Sequence, residues 1–153
     1  MNPTPGEILR RHWSRLAITL APPVTVEELT TFERTHDVRL PTELRDYYLA
    51  ANGFAPPSDQ DENGFSFWPL TRVCPVATFD GGAWFSDEAE RCFLFADYLS
   101  LSWGFAFCVT PDSVHARICI VGTADRRPVW IADGFSKFVE LYVRNDERLY
   151  SPN

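Results

Sequence analysis

Glu33 and His36 stand three residues apart in VEELTTFERTH, a spacing that sets a carboxylate and an imidazole on one side of a helix. Di-iron carboxylate bundles use that spacing, but they need two such motifs and further glutamates, and this chain has one. A half-buried helix-end histidine beside an acid outweighs a metal site. Cys108 and His115 form a second candidate, because a thiolate nucleophile needs an adjacent base. No third group is evident to orient the pair, and neighbouring strand residues often meet by chance. Asp80-Gly81-Gly82 and Asp87, Glu88 and Glu90 cluster carboxylates as a calcium loop or a glycosidase pair would. Their spacing fits no EF-hand, and nothing sets two of them across a substrate. His12 is expected to pack or cap in its helix. The chain has no G-x-S-x-G, P-loop or dinucleotide fingerprint. The expectation is therefore no catalytic residue, no metal and no cofactor.

Charge points elsewhere. The net charge of −7 is concentrated in one segment. Residues 59–97 hold 8 acids (Asp59, Asp61, Glu62, Asp80, Asp87, Glu88, Glu90 and Asp97) against 2 bases (Arg72 and Arg91), which is −6 of the total. Such a field repels nucleic acid and attracts basic partners. Within it, Trp84-Phe85 follows Gly81-Gly82 and precedes the acidic run. Large rings amid charge have the composition of an interface anchor with a polar rim. The alternatives are acids that only solvate long loops and rings that fold back into the core. The contact surface expected here is Asp59, Asp61, Glu62, Trp84, Phe85, Asp87, Glu88 and Glu90.

The elements that would position these residues are legible by period. Residues 5–16 predict a helix with Ile8, Leu9, His12, Trp13 and Leu16 on one side, and Ala21-Pro-Pro23 is a short connector. Thr25 and Glu28 form a capping box, and Val26, Leu29, Phe32 and His36 then fall on one stripe. Pro41 suits the first position of the next helix, where Leu44, Tyr47, Tyr48 and Ala51 make the apolar face. Asn52-Gly53 can end that helix in left-handed geometry. Phe65–Trp68 predicts a strand, 71–77 is ambiguous, and Asp80–Gly82 predicts a turn.

Between Trp103 and Val121 two β runs flank Thr-Pro-Asp-Ser. With Val109 opposite Val114, one face carries Phe105, Phe107, Val109, Val114, Ala116, Ile118 and Ile120, all apolar. The other carries Ala106, Cys108, His115, Arg117, Cys119 and Val121. Trp103 and Trp130 sit within strands and can face either side. A strand over 129–132 leads into a last helix with Phe135, Phe138, Val139 and Tyr142 inward. Helices, then strands, then one helix suit an α+β fold: a largely antiparallel twisted sheet with helices packed on its core face. A chain of 153 residues with 45% hydrophobic content buries roughly 70% of its unfolded surface without a metal or disulfide staple. We expect one domain over 1–153. The N-terminus MNPTPGEILRRHW lacks an apolar export core, and no apolar run approaches a membrane span. A cytoplasmic location is expected. The four cysteines, with no CxxC spacing, are expected as free thiols.

The stretch from Val24 to Phe54 resembles the start of the SUKH superfamily, whose best-known branch is the Smi/Knr-type cell-wall-assembly regulators. The resemblance rests on an acid-bearing helix (Leu29, Phe32, Glu33), on Leu40-Pro41, and on a helix with Tyr47, Tyr48 and Leu49 ending in Asn52-Gly53. Two later stretches look similar to the family's central strands, Phe93–Leu99 and Ser102–Phe107. Val129–Phe138 resembles its last strand and closing helix. Gly134 stands where the family usually has a capping Ser. The similarity covers about 24–143, preceded by the helix over 5–16.

The resemblance implies a non-enzymatic binding module, and many bacterial members look like immunity proteins that neutralise a cognate toxin, often a nuclease. A basic protein partner, no nucleic acid and no membrane are expected. The alternatives are a regulatory scaffold of the Smi/Knr type and a small hydrolase using Cys108 and His115. The scaffold branch usually carries long disordered extensions, which favours the inhibitor reading.

Overall fold

Thr4 and Thr25 each stand one residue before a helix, with Glu7 and Glu28 three residues further on. Both pairs close a full capping box: the threonine hydroxyl accepts from the glutamate N–H, and the carboxylate accepts from the threonine N–H. Two otherwise orphan donors are satisfied at each start. The computed structural model describes residues 2–80, 91–122 and 127–150. It contains α1 (Pro5–Arg15), α2 (Val26–His36) and α3 (Thr42–Ala50), followed by β1 (Phe65–Phe67), β2 (Cys74–Pro75) and α4 (Val76–Asp80). β3 (Cys92–Tyr98), β4 (Trp103–Val109), β5 (Ala116–Val121) and β6 (Val129–Ala132) come next, then α5 (Phe135–Val143) and a 3₁₀ turn over Glu147–Leu149. Pro41 caps α3 from outside rather than opening it. The ambiguous 71–77 stretch resolves into β2 and the start of α4, and Asp80 is the last described residue of that helix. Gly81 and Gly82, the rest of the expected turn there, lie outside the described residues.

All pairings are antiparallel, in the order β1-β3-β4-β5-β6, with β2 beside β3 along the same edge as β1. This is the expected α+β fold. α1, α2, α3 and α5 supply Leu9, Trp13, Leu29, Phe32, Leu44, Tyr47, Phe135 and Phe138 to one core against Phe93, Phe95, Phe105, Phe107, Ile118 and Ile120. The opposite sheet face carries a second, smaller apolar cluster of Trp68, Val76, Cys92, Leu94, Ala106, Cys108, Cys119 and Val121. Trp103 stacks on Tyr98 at the first core, and Trp130 joins the second cluster beneath the Arg117 guanidinium.

Four sequence expectations need correction. Val109 lies opposite Ala116, not Val114, so the hairpin register is displaced by two residues. Because side chains alternate with period two, an even displacement keeps every strand residue on its assigned face. The connection is correspondingly longer, Thr110 to His115. Asp112 accepts from the Val114 N–H and the Thr110 hydroxyl, and Val114 is left exposed at the turn. Val26 is exposed too, because the first helical residue sits ahead of the buried stripe. Of the four cysteines expected as thiols, Cys74 and Cys119 form no disulfide, whereas Cys92 and Cys108 are directly opposite on β3 and β4 and are joined in one.

The family-atypical Gly134 is the N-cap of α5 and offers no side-chain hydrogen bond. Its role passes to α3. The Glu43 carboxylate accepts from the Ser136 N–H at 3.4 Å and from the Ser136 hydroxyl, placing negative charge at the positive end of α5. Glu43→Ala is therefore expected to lower stability by about 1 kcal/mol, the usual worth of a helix cap. Urea unfolding of the variant would check this; no change in midpoint would show that water caps α5 equally well.

Candidate functional site

The acidic loop leaves α3 at Asn52-Gly53. Asn52 is buried, and its amide ties two segments together: the NH₂ donates to Pro22 O at 3.0 Å and the carbonyl accepts from Leu70 N at 2.7 Å. Gly53 has φ +74° and lies against the Phe67–Trp68 backbone. Phe54 then donates to Phe67 O. Glu33 does similar work upstream. It accepts from Leu40 N at 2.7 Å and pairs with Arg45 at 2.6 Å, closing the α2–α3 connector. Its carboxylate is thus engaged away from His36, whose ring packs on Phe32 and Phe93; burial there pushes the imidazole pKa down. Among the described residues no group of three His, Cys, Asp or Glu is placed to hold a metal ion.

From this frame the loop turns back at Asp61. One carboxylate oxygen of Asp61 accepts from Asn63 N and Phe65 N, and the other from the Tyr142 hydroxyl at 2.6 Å. Tyr142 in turn accepts from the buried Trp13 indole at 2.9 Å. Asp61 is therefore half-buried and internally bonded, an anchor of the loop. Glu62 and Asp59 are exposed on either side of it. His12, half-buried against Tyr142, has its pKa lowered first by burial and then by Arg15, while Asp61 and Glu62 pull the other way. Glu62 thus lies near α1. Asp59 instead lines a cavity of 490 Å³. The remaining expected contact residues, Trp84, Phe85, Asp87, Glu88 and Glu90, lie outside the described residues.

The cavity contains a residue that the sequence reading counted only as charge. Asp97 lines it with Ser58, Asp59, Ser66, Arg72 and Ser100, over apolar walls that include Phe54 and Leu101. A β-bulge between Leu94 and Ala96 puts Asp97 there. Phe93 and Phe95 face the helices; the extra residue reverses the alternation, so Ala96 and Tyr98 face the helices and Asp97 faces outward with Ser66, its partner on β1. Asp97 is only 3% exposed. Its Oδ2 accepts from the Trp68 indole at 2.9 Å. Burial raises its pKa, against the opposing pull of the Trp68 bond, the Arg72 charge and the Leu101 N–H. Arg72 itself lies over the Trp68 ring, 4.0 Å from its centroid. The sequence signal for this residue was a lone carboxylate inside an apolar strand, FLFADYL.

The Cys108–His115 pair does not form. Cys108 lies opposite Arg117 and is bonded to Cys92, while His115 sits exposed at the end of the hairpin turn.

The sequence pattern of the SMI1 / KNR4 family (SUKH-1) matches residues 23–141. The chain belongs to that family. No curated protein matches it. Domains of the SUKH family are in general non-catalytic and serve immunity or regulation. In this SUKH domain the motif residues that carry the resemblance, Glu33, Leu40-Pro41 and Asn52-Gly53, are scaffold. Glu33 and Leu40-Pro41 close the α2–α3 connector, while Asn52-Gly53 fixes the entry to the loop beside the Phe54 and Pro69 wall of the cavity. α1 precedes the matched region and packs on α3 and α5. No helix among the described residues is long and apolar enough to cross a membrane.

Proposed function

We propose that this SUKH domain is a non-enzymatic protein-binding module, an immunity protein that binds and neutralises a cognate toxin in the cytoplasm. The observation that carries the proposal is the −6 balance of residues 59–97, with Asp59 and Glu62 exposed on a loop that Asp61 anchors to Tyr142. Nuclease domains must be basic to hold phosphates, so a nuclease toxin is the partner whose charge complements this chain. Attraction between opposite fields raises association rates well above the unsteered ~10⁵–10⁶ M⁻¹s⁻¹. Asp59, Glu62, Asp87, Glu88 and Glu90 supply the field in this reading, Asp61 holds the loop, and Trp84 and Phe85 are the apolar anchors. An interface of about 1,600 Å² suffices for tight binding when a few aromatics anchor it.

Capture of the partner from the source cell, followed by survival of cells expressing that partner with and without this chain, tests the function. Failure of the chain to protect would overturn it. With the partner in hand, changing Asp59, Glu62, Asp87, Glu88 and Glu90 to their amides is expected to slow association about 10- to 100-fold at low salt. The salt dependence should flatten as well. A rate that is the same at low and high salt in both proteins would remove electrostatic steering from the mechanism.

A further inference from the structure

Asp97 is an unusual residue to keep in an otherwise apolar strand. Taking a carboxylate out of water is costly unless hydrogen bonds compensate, and here they do so only on one side. Oδ2 has the Trp68 indole, while Oδ1 is buried with no hydrogen bond of normal geometry among the described residues, the Leu101 N–H adding only a weaker pull on the carboxylate. The nearest guanidinium, Arg72, is held over the Trp68 ring and makes no ion pair with Asp97 within 4.0 Å. Two carboxylates, Asp97 and Asp59, therefore share the cavity with one arginine, leaving one negative charge unmatched.

The walls are as informative as the charge. Phe54, Pro56, Phe67, Pro69 and Leu101 give the cavity apolar sides, and the Ser66 and Ser100 hydroxyls offer further acceptors beside the carboxylates. That combination suits a group with an apolar stem, a planar face and several N–H donors. A compact ammonium would leave most of those acceptors unused; a guanidinium presents five donors in a rigid fork. The wall is also held in a costly shape. Leu99, Ser100 and Leu101 all have positive φ (45°, 52° and 70°), a conformation that non-glycine residues adopt only when their surroundings enforce it.

We infer that this cavity is a socket for a single guanidinium, that of an arginine side chain presented by the protein partner, with Asp97 and Asp59 as its acceptors. The inference rests on the protein-binding reading above and extends it from a diffuse charge field to one defined point of contact. A buried carboxylate whose charge is disfavoured in the free protein, as the raised pKa of Asp97 indicates, is the kind of group whose desolvation is offset only on binding.

The test needs no toxin. N-acetyl-arginine methylamide is titrated into the full chain while the Trp68 indole N–H resonance is followed, since that proton lies on Asp97. A saturable shift is expected, with a dissociation constant of roughly 10 mM for so small a probe. Asp97→Asn should weaken it at least tenfold, and Arg72→Ala, which removes a competing cation, should tighten it. The Asn variant keeps an acceptor for Trp68 and no longer buries a charge, so its thermal midpoint should be unchanged or higher. The absence of saturation, equal binding by the Asp97→Asn variant, or a matching response to inorganic phosphate would each overturn the socket. A probe that binds as described in a chain that protects no cell from a toxin would leave the socket standing and sink the immunity reading; the reverse pair of results would do the opposite.

Discussion

Gly53→Ala is expected to destabilise the protein by about 2–5 kcal/mol, enough to unfold much of a marginally stable domain. Two costs combine. At φ +74° an alanine sits in the left-handed region, which costs about 1–2 kcal/mol for a residue with a Cβ. The added Cβ would also stand 2.6 Å from the Trp68 carbonyl carbon and 2.7 Å from the Phe67 and Trp68 oxygens. Those atoms are backbone. Phe67 O accepts from Phe54 N, and Trp68 N donates to Phe95 O, so neither can yield without disturbing the sheet edge. Overpacking of this kind costs about 1–3 kcal/mol more. Urea unfolding measures the sum. A loss below about 1 kcal/mol would mean that the Gly53–Trp68 contact is looser than described. Since Phe54 and Pro69 wall the cavity, the same change should also weaken the guanidinium site.

Tyr142→Phe is expected to cost about 2–4 kcal/mol, although it removes one oxygen. That hydroxyl sits between two partners, accepting from the buried Trp13 indole and donating to Asp61. Its loss strands an indole N–H in the core and deprives a half-buried carboxylate of a donor, and a desolvated group left unpaired costs more than an average hydrogen bond gains. The alkaline limb of stability gives an independent check. Burial raises the phenol pKa values of Tyr47, Tyr48 and Tyr142 in the folded protein. For Tyr142 the Asp61 charge adds to the effect. A raised folded pKa contributes stability that is fully present below the unfolded phenol value of about 10 and is lost as pH climbs through the folded one. Burial raises Tyr150 as well, so above pH 10 unfolding releases up to four phenol protons, and stability should fall by up to about 5 kcal/mol per pH unit. In the Phe variant that slope should be about one quarter smaller. An unchanged slope would show that Tyr142 ionises alike in both states.

Local chemistry was readable wherever its partners lie within a few residues. Thr25 and Glu28 announced the start of α2 because a capping box is closed within one turn. Asn52-Gly53 marked the end of α3 but not its geometry: the helix stops at Ala50 with an extended Ala51 cap, and the left-handed φ of Gly53 serves its contact with the Phe67–Trp68 backbone instead. The alternation of Phe105, Phe107, Ile118 and Ile120 revealed the core face, and it survived an error of two residues in register because parity was preserved.

Asp97 was legible as a charge and hidden as a site. Its direction depends on a bulge at Phe95, which answers to the pairing of β3 with β4 rather than to its own neighbours in sequence. The disulfide was hidden for the same reason, since Cys92 and Cys108 meet only once β3 and β4 are aligned. The role of Glu43 at the start of α5 joins residues 93 apart, beyond any periodic signal.

Composition and short-range pattern thus suffice for the family, the helices, the inward faces of the strands and the excess of negative charge, because each depends on residue type and on spacings of two to four. Which carboxylates stay free to meet a partner is a different kind of property. Asp61 and Asp59 are neighbours of the same type, yet Tyr142, arriving from the far end of the chain, engages one, while the other opens onto a cavity with Asp97. Long-range packing assigned those roles, since the hydrogen bonds and burial that separate an anchoring carboxylate from an available one come from distant segments.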